Sequence, residues 1–154
     1  MVNCIKGDLL AGNCDYICHQ VNCRGKMASG IAKSIRAKYP KVYDSYMSCF
    51  ESPTGTAVKA EQLLGSIQIV QVEDKKVINM FSQLNYGYDG FRHTNYEAFY
   101  TCLENIAGVV PKGATIGFPK NIGCGLGGGK WPIITAMIIE VLARDYNVVI
   151  YCLE

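Results

Sequence analysis

Histidine is scarce in this chain: only His19 and His93 occur among 154 residues, and no two cysteines stand three positions apart. The Cys/His spacing of a structural zinc site is absent, and no metal site is expected. Charge is thin as well. Fifteen Lys and Arg against thirteen Asp and Glu leave a net charge of +2, with no basic stripe to follow a phosphate backbone. Duplex nucleic acid is disfavoured as a main partner. No run of eighteen apolar residues exists, so nothing reads as a membrane span. The opening Met1–Asp8 lacks the basic and apolar regions of a secretory leader. Repeats, linkers and low-complexity tracts are missing too. The eight cysteines are scattered through strand-like and helix-like runs, which reads as reduced thiols of a cytoplasmic protein rather than a disulfide scaffold. Length fits a single domain over 1–154 that buries roughly 70% of its unfolded surface in one core.

What is present is alternation. Short β-branched runs at Val2–Ile5, Tyr16–Gln20, Ser66–Val72, Lys76–Ser82, Thr115–Phe118 and Val148–Leu153 read as strands. Helical patterns over Gly30–Lys38, Val42–Ser48, Tyr96–Val110 and Ile133–Arg144 lie between them. This order predicts an α/β fold. Tyr39-Pro40 ends the first helix, because the residue before proline avoids the α region. Thr94 or Asn95 can cap the third. Glu73-Asp74-Lys75 is a hairpin-length link, which makes the sheet mixed. The last helix is apolar on most sides, and burial between the sheet and a further layer is expected.

Six glycines fall within the stretch Gly117–Pro132, between a strand and a helix. Bare amides there can approach an anion at a helix start, where the helix dipole also favours negative charge. Pro132 suits the first helical turn. A Walker A loop is excluded, since Trp131 follows Lys130 where Ser or Thr is needed and the leading glycine is displaced by one position. Gly123, Gly125 and Gly128 match the dinucleotide pattern GxGxxG, but only one strand follows, too little for a second nucleotide-binding half. The stretch reads as a phosphate cradle. A second loop, His19–Ile31, leaves a strand end, carries glycines and opens a helix, as ligand loops of α/β sheets do. Asp8, just after the first strand, can accept from a purine amine or cap a turn. Leu84–Thr94 is polar, aromatic and turn-rich. It reads either as a lid in which Asp89, Arg92 and His93 reach the far end of a ligand or as an exposed loop.

Lys6-Gly7-Asp8-Leu9-Leu10, then His19-Gln20-Val21-Asn22-Cys23 with Gly30-Ile31-Ala32, then Ile122-Gly123-Cys124-Gly125-Leu126 with Trp131, together resemble the macro domain family. The ordered resemblance runs through to the last strand. It is nearest to ADP-ribose 1″-phosphate phosphatases, terminal ADP-ribose glycohydrolases and the macro domains of DNA-ADP-ribosylation antitoxins. It implies a three-layer α/β/α sandwich with a mixed central sheet and a cleft for ADP-ribose. By the same resemblance Asp8 meets the adenine amino group and backbone at Leu9 meets the ring. Asn22 and the loop to Gly30 and Ile31 surround the distal ribose, and Asn121, Gly123, Cys124, Gly125, Leu126 and Gly127 wrap the pyrophosphate. Phe81, Ser82, Gln83 and Leu153 complete the walls.

The glycohydrolase branch uses a lysine and an aspartate where this chain has Gln83 and Gly127, and neither can form a Schiff base or act as a base. The phosphatase branch has a histidine at the position of His19. An imidazole there can activate water while the cradle amides stabilise the transferred phosphoryl. Asn22 orients ribose or water. A buried, hydrogen-bonded core histidine is the competing reading of His19. Cys23 and Cys124 lack any sign of thiolate activation in the sequence and read as packing residues. The expectation is a monomeric, cofactor-free, metal-independent hydrolase of an ADP-ribose derivative, the 1″-phosphate favoured. ADP-ribosyl hydrolase and non-catalytic reader are the alternatives. No membrane partner is expected, and nucleic acid only as an ADP-ribosylated substrate.

Overall fold

Hydrogen-bonded strands form the spine of the molecule. The computed structural model describes residues 2–51, 59–87 and 89–153. Six strands, β1 (Val2–Lys6), β2 (Tyr16–Asn22), β3 (Ile67–Val72), β4 (Lys75–Gln83), β5 (Thr115–Pro119) and β6 (Asn147–Cys152), form one sheet in the order β1-β6-β5-β2-β4-β3. Every neighbouring pair is parallel except β3 with β4, which a two-residue turn joins antiparallel at one edge. The mixed sheet therefore has five strands whose C-terminal ends share one rim.

Helices cover both faces. The helices α4 (Tyr96–Val109) and α5 (Trp131–Leu142) pack on Tyr16, Cys18, Ile78, Met80, Ile116, Phe118, Val148 and Ile150. On the other face α1 (Gly30–Lys38), α2 (Pro40–Ser48), the single turn α3 (Ala60–Leu63) and a 3-10 turn (Leu9–Ala11) cover Ile17, Val21, Val77, Phe81 and Val149. Strict alternation along β2 and β4 is what divides the two clusters. The result is a three-layer α/β/α sandwich. Tyr39, at φ −127° and ψ 76°, separates α1 from α2 before Pro40, and Asn95 caps α4 by accepting from the Ala98 amide. All eight cysteines are free thiols. No described helix is long and apolar enough to cross a membrane.

Helix α5 departs from expectation. Ile134, Ile138 and Leu142 are buried, whereas Ile133 and Ile139 are 40% and 48% exposed. The helix is an outer layer, not a sandwiched one: one face meets the sheet and α4, and no described element covers the other. The 3-10 turn and α3 escaped the periodicity reading because neither is long enough to show a period.

His19 also lies where a catalytic group would not. It sits in the middle of the central strand on the α1/α2 face, with no exposed surface. Its Nε2 donates to Asn79 Oδ1, since Asn79 Nδ2 donates to Gln68 Oε1 and Gln68 Nε2 to the Ser45 carbonyl. This polar ladder links three strands to α2. Burial, partly opposed by the Asn79 bond, lowers the His19 pKa from the ordinary 6.5 to about 4. His19 is thus a neutral core residue without access to a ligand in the rim.

Because the unfolded chain protonates His19 first, its contribution is complete above about pH 6.5 and declines as pH falls toward about 4, by up to about 3 kcal/mol. Denaturation midpoints at about pH 7 and pH 5 should drop in the wild type and much less in His19→Gln; equal drops would refute the assignment. Gly117, on β5, gives a second test. A Cβ there would lie 2.7 Å from both Cys14 Sγ and Leu9 Cδ1. Gly117→Ala should therefore cost about 1–3 kcal/mol, read as a lowered denaturant midpoint at unchanged slope.

Candidate functional site

The parallel strands deliver five chain segments to one rim: 7–8 after β1, 23–29 after β2, 84–95 after β4, 120–130 after β5, and 153 after β6. Ligand sites of open α/β sheets lie at this rim. A cleft of about 410 Å³ opens there, and Asp8, Leu9, Gly30, Ile31, Asn121 and Leu153 line it together. Ser34, Lys120 and Tyr151, not singled out in the sequence, line it too. A more open depression of about 500 Å³ lies on the same sheet face around Asn3, Asn13, Thr115 and Asn147. Thr115 and Asn147 start their strands, so this hollow sits toward the opposite ends of β5 and β6, away from the glycine loop.

Asp8 has both roles open to it. One carboxylate oxygen accepts from the Leu10 amide at 3.0 Å and caps the 3-10 turn; for the other no protein donor is found among the described residues. Two cations on distant elements hold this turn. Lys75 Nζ, buried in the hairpin, donates to the carbonyls of Gly12 (2.9 Å) and Leu10 (3.4 Å), and Lys38 Nζ donates to Leu10 O at 3.1 Å. They fix the apolar Leu9 wall beside Asp8.

The glycine loop is held from behind. Ser82 Oγ donates to Gln20 Oε1, and Gln20 Nε2 donates to Gln83 Oε1 and Thr94 Oγ1. Thr94 Oγ1 in turn donates to Gly123 O at 2.7 Å, while the His93 and Thr94 amides both donate to Gly127 O. Each hydroxyl and amide in this chain polarises the next. Within the loop, the amides of Cys124, Gly128 and Gly129 bond to loop carbonyls, and that of Ile122 to Pro119 O at the end of β5. Those of Asn121, Gly123, Gly125, Leu126 and Gly127 find no acceptor among the described residues. They are the donors an anion would use.

Several expected ligand residues serve this scaffold instead. Ser82 is fully buried, and Gln83 uses its amide oxygen on Gln20 and its amide nitrogen on Asn85 O. Asn22 is locked: its oxygen accepts from the Arg24 and Lys26 amides and the Tyr46 hydroxyl, and its Nδ2 donates to Lys26 O. It shapes the loop after β2 rather than presenting an amide to the cleft. Gly127 has no room for a carboxylate, because a Cβ there would meet Thr94 Oγ1 at 2.5 Å and Gly123 O at 2.8 Å. Burial pushes the Cys23 thiol up to about 11 and raises that of Cys124, so both are neutral at physiological pH. The sequence assigns Gln20 no role beyond the His19–Cys23 motif and Thr94 none beyond a helix cap; the register of β2 against β4 and the bridge between Gln83 and Thr94 bring them together.

Neither a family model nor a curated protein sequence matches this chain. Solved structures do. A Bacteroides thetaiotaomicron protein of unknown function superposes with a TM-score of 0.80 at 26% identity, over 98% of this chain and 97% of that one. A macrodomain protein from Streptomyces coelicolor gives 0.78 at 24% over 99% of each. Thermosipho africanus DarTG, in complex with ADP-ribose, gives 0.73 at 17%, over 97% of this chain and 41% of that one. The architecture shared across these superpositions is the one that the Streptomyces coelicolor macrodomain protein carries over its whole length, and this chain has the macrodomain fold.

Proposed function

We propose that the chain binds ADP-ribose in the rim cleft and hydrolyses the phosphate monoester of ADP-ribose 1″-phosphate. One observation carries the reading: a set of loop amides without protein acceptors stands on the same rim as a carboxylate with a spare oxygen. The first suits a pyrophosphate and the second a purine amine. Leu9, Ile31 and Leu153 offer apolar walls for the ring between them. The complex of a macrodomain-fold neighbour with ADP-ribose supports the same ligand.

The chemistry does not pass directly through His19, which has no exposed surface, nor through Asn22, whose amide is occupied. Phosphoryl transfer needs little covalent participation and draws mainly on positioning and charge stabilisation, which the amide set supplies. The lysine–aspartate route of glycohydrolases is disfavoured by Gln83 and by the closed space at Gly127. A second reading, a non-catalytic reader of ADP-ribose, is favoured by the internal bonds of His19 and Asn22.

Calorimetric titration with ADP-ribose should give micromolar affinity, about −8 kcal/mol, and ADP-ribose 1″-phosphate should release inorganic phosphate. Binding without release would leave the reader; no binding would remove the ligand assignment. Asp8→Asn, which keeps an acceptor for the Leu10 amide, should weaken ADP-ribose by about tenfold, or ~1.4 kcal/mol, at an unchanged unfolding midpoint. Gly127→Asp should displace the loop from Thr94 and lower affinity by at least about tenfold; a variant that bound normally would show that the Thr94 clamp does not shape the cradle.

A further inference from the structure

The segment after β4 ends against the glycine loop. His93 and Thr94 amides share Gly127 O at 2.8 and 2.9 Å, and the position of a Cβ on Gly128 lies only 3.0 Å from Arg92 Cα. One hydrogen bond thus separates the His93 backbone from the loop whose amides at 125–127 stand without acceptors.

The His93 ring is held as firmly as its backbone. Its Nε2 lies 2.9 Å from Asp89 Oδ1, and the Phe91 amide donates to the same oxygen at 3.0 Å. The imidazole is only 12% exposed, the carboxylate 47%. The Phe91 amide and the His93 bond hold the Asp89 carboxyl below its ordinary range, so Asp89 is an ionised acceptor at neutral pH and the Nε2 position carries the hydrogen. The lone pair of the neutral ring is then on Nδ1, for which no partner is found among the described residues. A base whose far nitrogen is fixed by a carboxylate is the usual geometry for proton transfer at an active site.

Asp8, the carboxylate lining the rim cleft, is taken up by the purine amine in the reading above. The only other imidazole is in the core, Cys23 and Cys124 are neutral thiols, and Asn22 and Gln83 do not titrate. We propose that His93, oriented by Asp89, is the proton-transfer residue of the site and acts on the group held by the glycine-loop amides. The inference rests on the hydrolase reading above. Water oxygen attacks the phosphorus of the 1″-phosphate and gives a proton to His93 Nδ1. The bond from phosphorus to the ribose oxygen breaks, its electron pair stays on that oxygen, and the imidazolium returns the proton there. The products are ADP-ribose and inorganic phosphate.

The charged and titratable groups on the neighbouring segments are Tyr86, Arg92 and Tyr96 on its own side, Lys120, Cys124 and Lys130 on the glycine loop, and Cys23, Arg24 and Lys26 after β2, Arg24 being bonded to Asn85. Arg92 lies over the Tyr96 ring at 4.3 Å.

The test compares wild type, His93→Gln and Asp89→Asn by calorimetry with ADP-ribose and by phosphate release from ADP-ribose 1″-phosphate across pH. Both variants should bind ADP-ribose within about twofold of wild type. His93→Gln should lose roughly 10²–10⁴-fold in kcat together with the acid-side limb of the kcat/KM profile. Asp89→Asn should lose less and shift that limb. Wild-type turnover matched by His93→Gln in rate and pH profile would overturn the pair and leave the hydrolase reading intact. Wild-type binding without phosphate release would overturn both, and so would failure of the wild type to bind.

Discussion

The Thr94 hydroxyl bonded to the Gly123 carbonyl is the contact on which the rim depends. It reaches back through Gln20 to Ser82 and Gln83, and so ties the glycine loop to the ends of two central strands. Glycine-rich segments lose more backbone entropy on ordering than any others, and a loop of this composition would not hold one shape unaided. The clamp supplies the order in advance of a ligand, and a preorganised amide set is worth most when no rearrangement is needed at binding or in the transition state. The close approach also explains Gly127: the space a side chain would need is filled by the Thr94 oxygen.

Polar groups inside this protein divide by task. The ladder from His19 through Asn79 and Gln68 to Ser45 lies in the core and joins sheet to helix; the chain from Ser82 to Gly123 lies behind the site and shapes it. Buried polar groups demand partners, and here nearly every one has them within its own network. Two buried side-chain atoms lack a partner among the described residues, His19 Nδ1 in the core and Thr135 Oγ1 on α5; at the rim, unfilled bonding capacity lies on loop amides, one oxygen of Asp8 and Nδ1 of His93. In a fold whose chemistry varies from member to member, function is argued from such groups rather than from the sheet.

Much was legible in the amino-acid sequence because it depends on local periodicity. The six strands and four main helices lie within about two residues of where alternation and helical spacing put them, since burial on a half-covered sheet imposes period two along a strand and covering helices impose 3.6. Tyr39-Pro40 as a helix boundary, Asn95 as a cap and Glu73-Asp74 as a turn are equally local. The grouping of Asp8, Leu9, Gly30, Ile31, Asn121 and Leu153 was implied only by the family resemblance; these residues line one cleft at the rim to which the parallel strands deliver their following loops.

Only the tertiary structure decided what each polar side chain at that rim does. His19 and Asn22 look alike in sequence, polar residues near a strand end, yet one is in the core and the other locks its own loop. Gln83 ends β4 where a reactive group could stand, and its amide is taken by Gln20 and Asn85. His93, in a stretch with no periodicity, gained its partner from a turn four residues earlier and its place from the Gly127 carbonyl. Which atoms find hydrogen-bond partners is a property of register and packing between segments distant in the chain, and residue type and spacing alone carry no record of it.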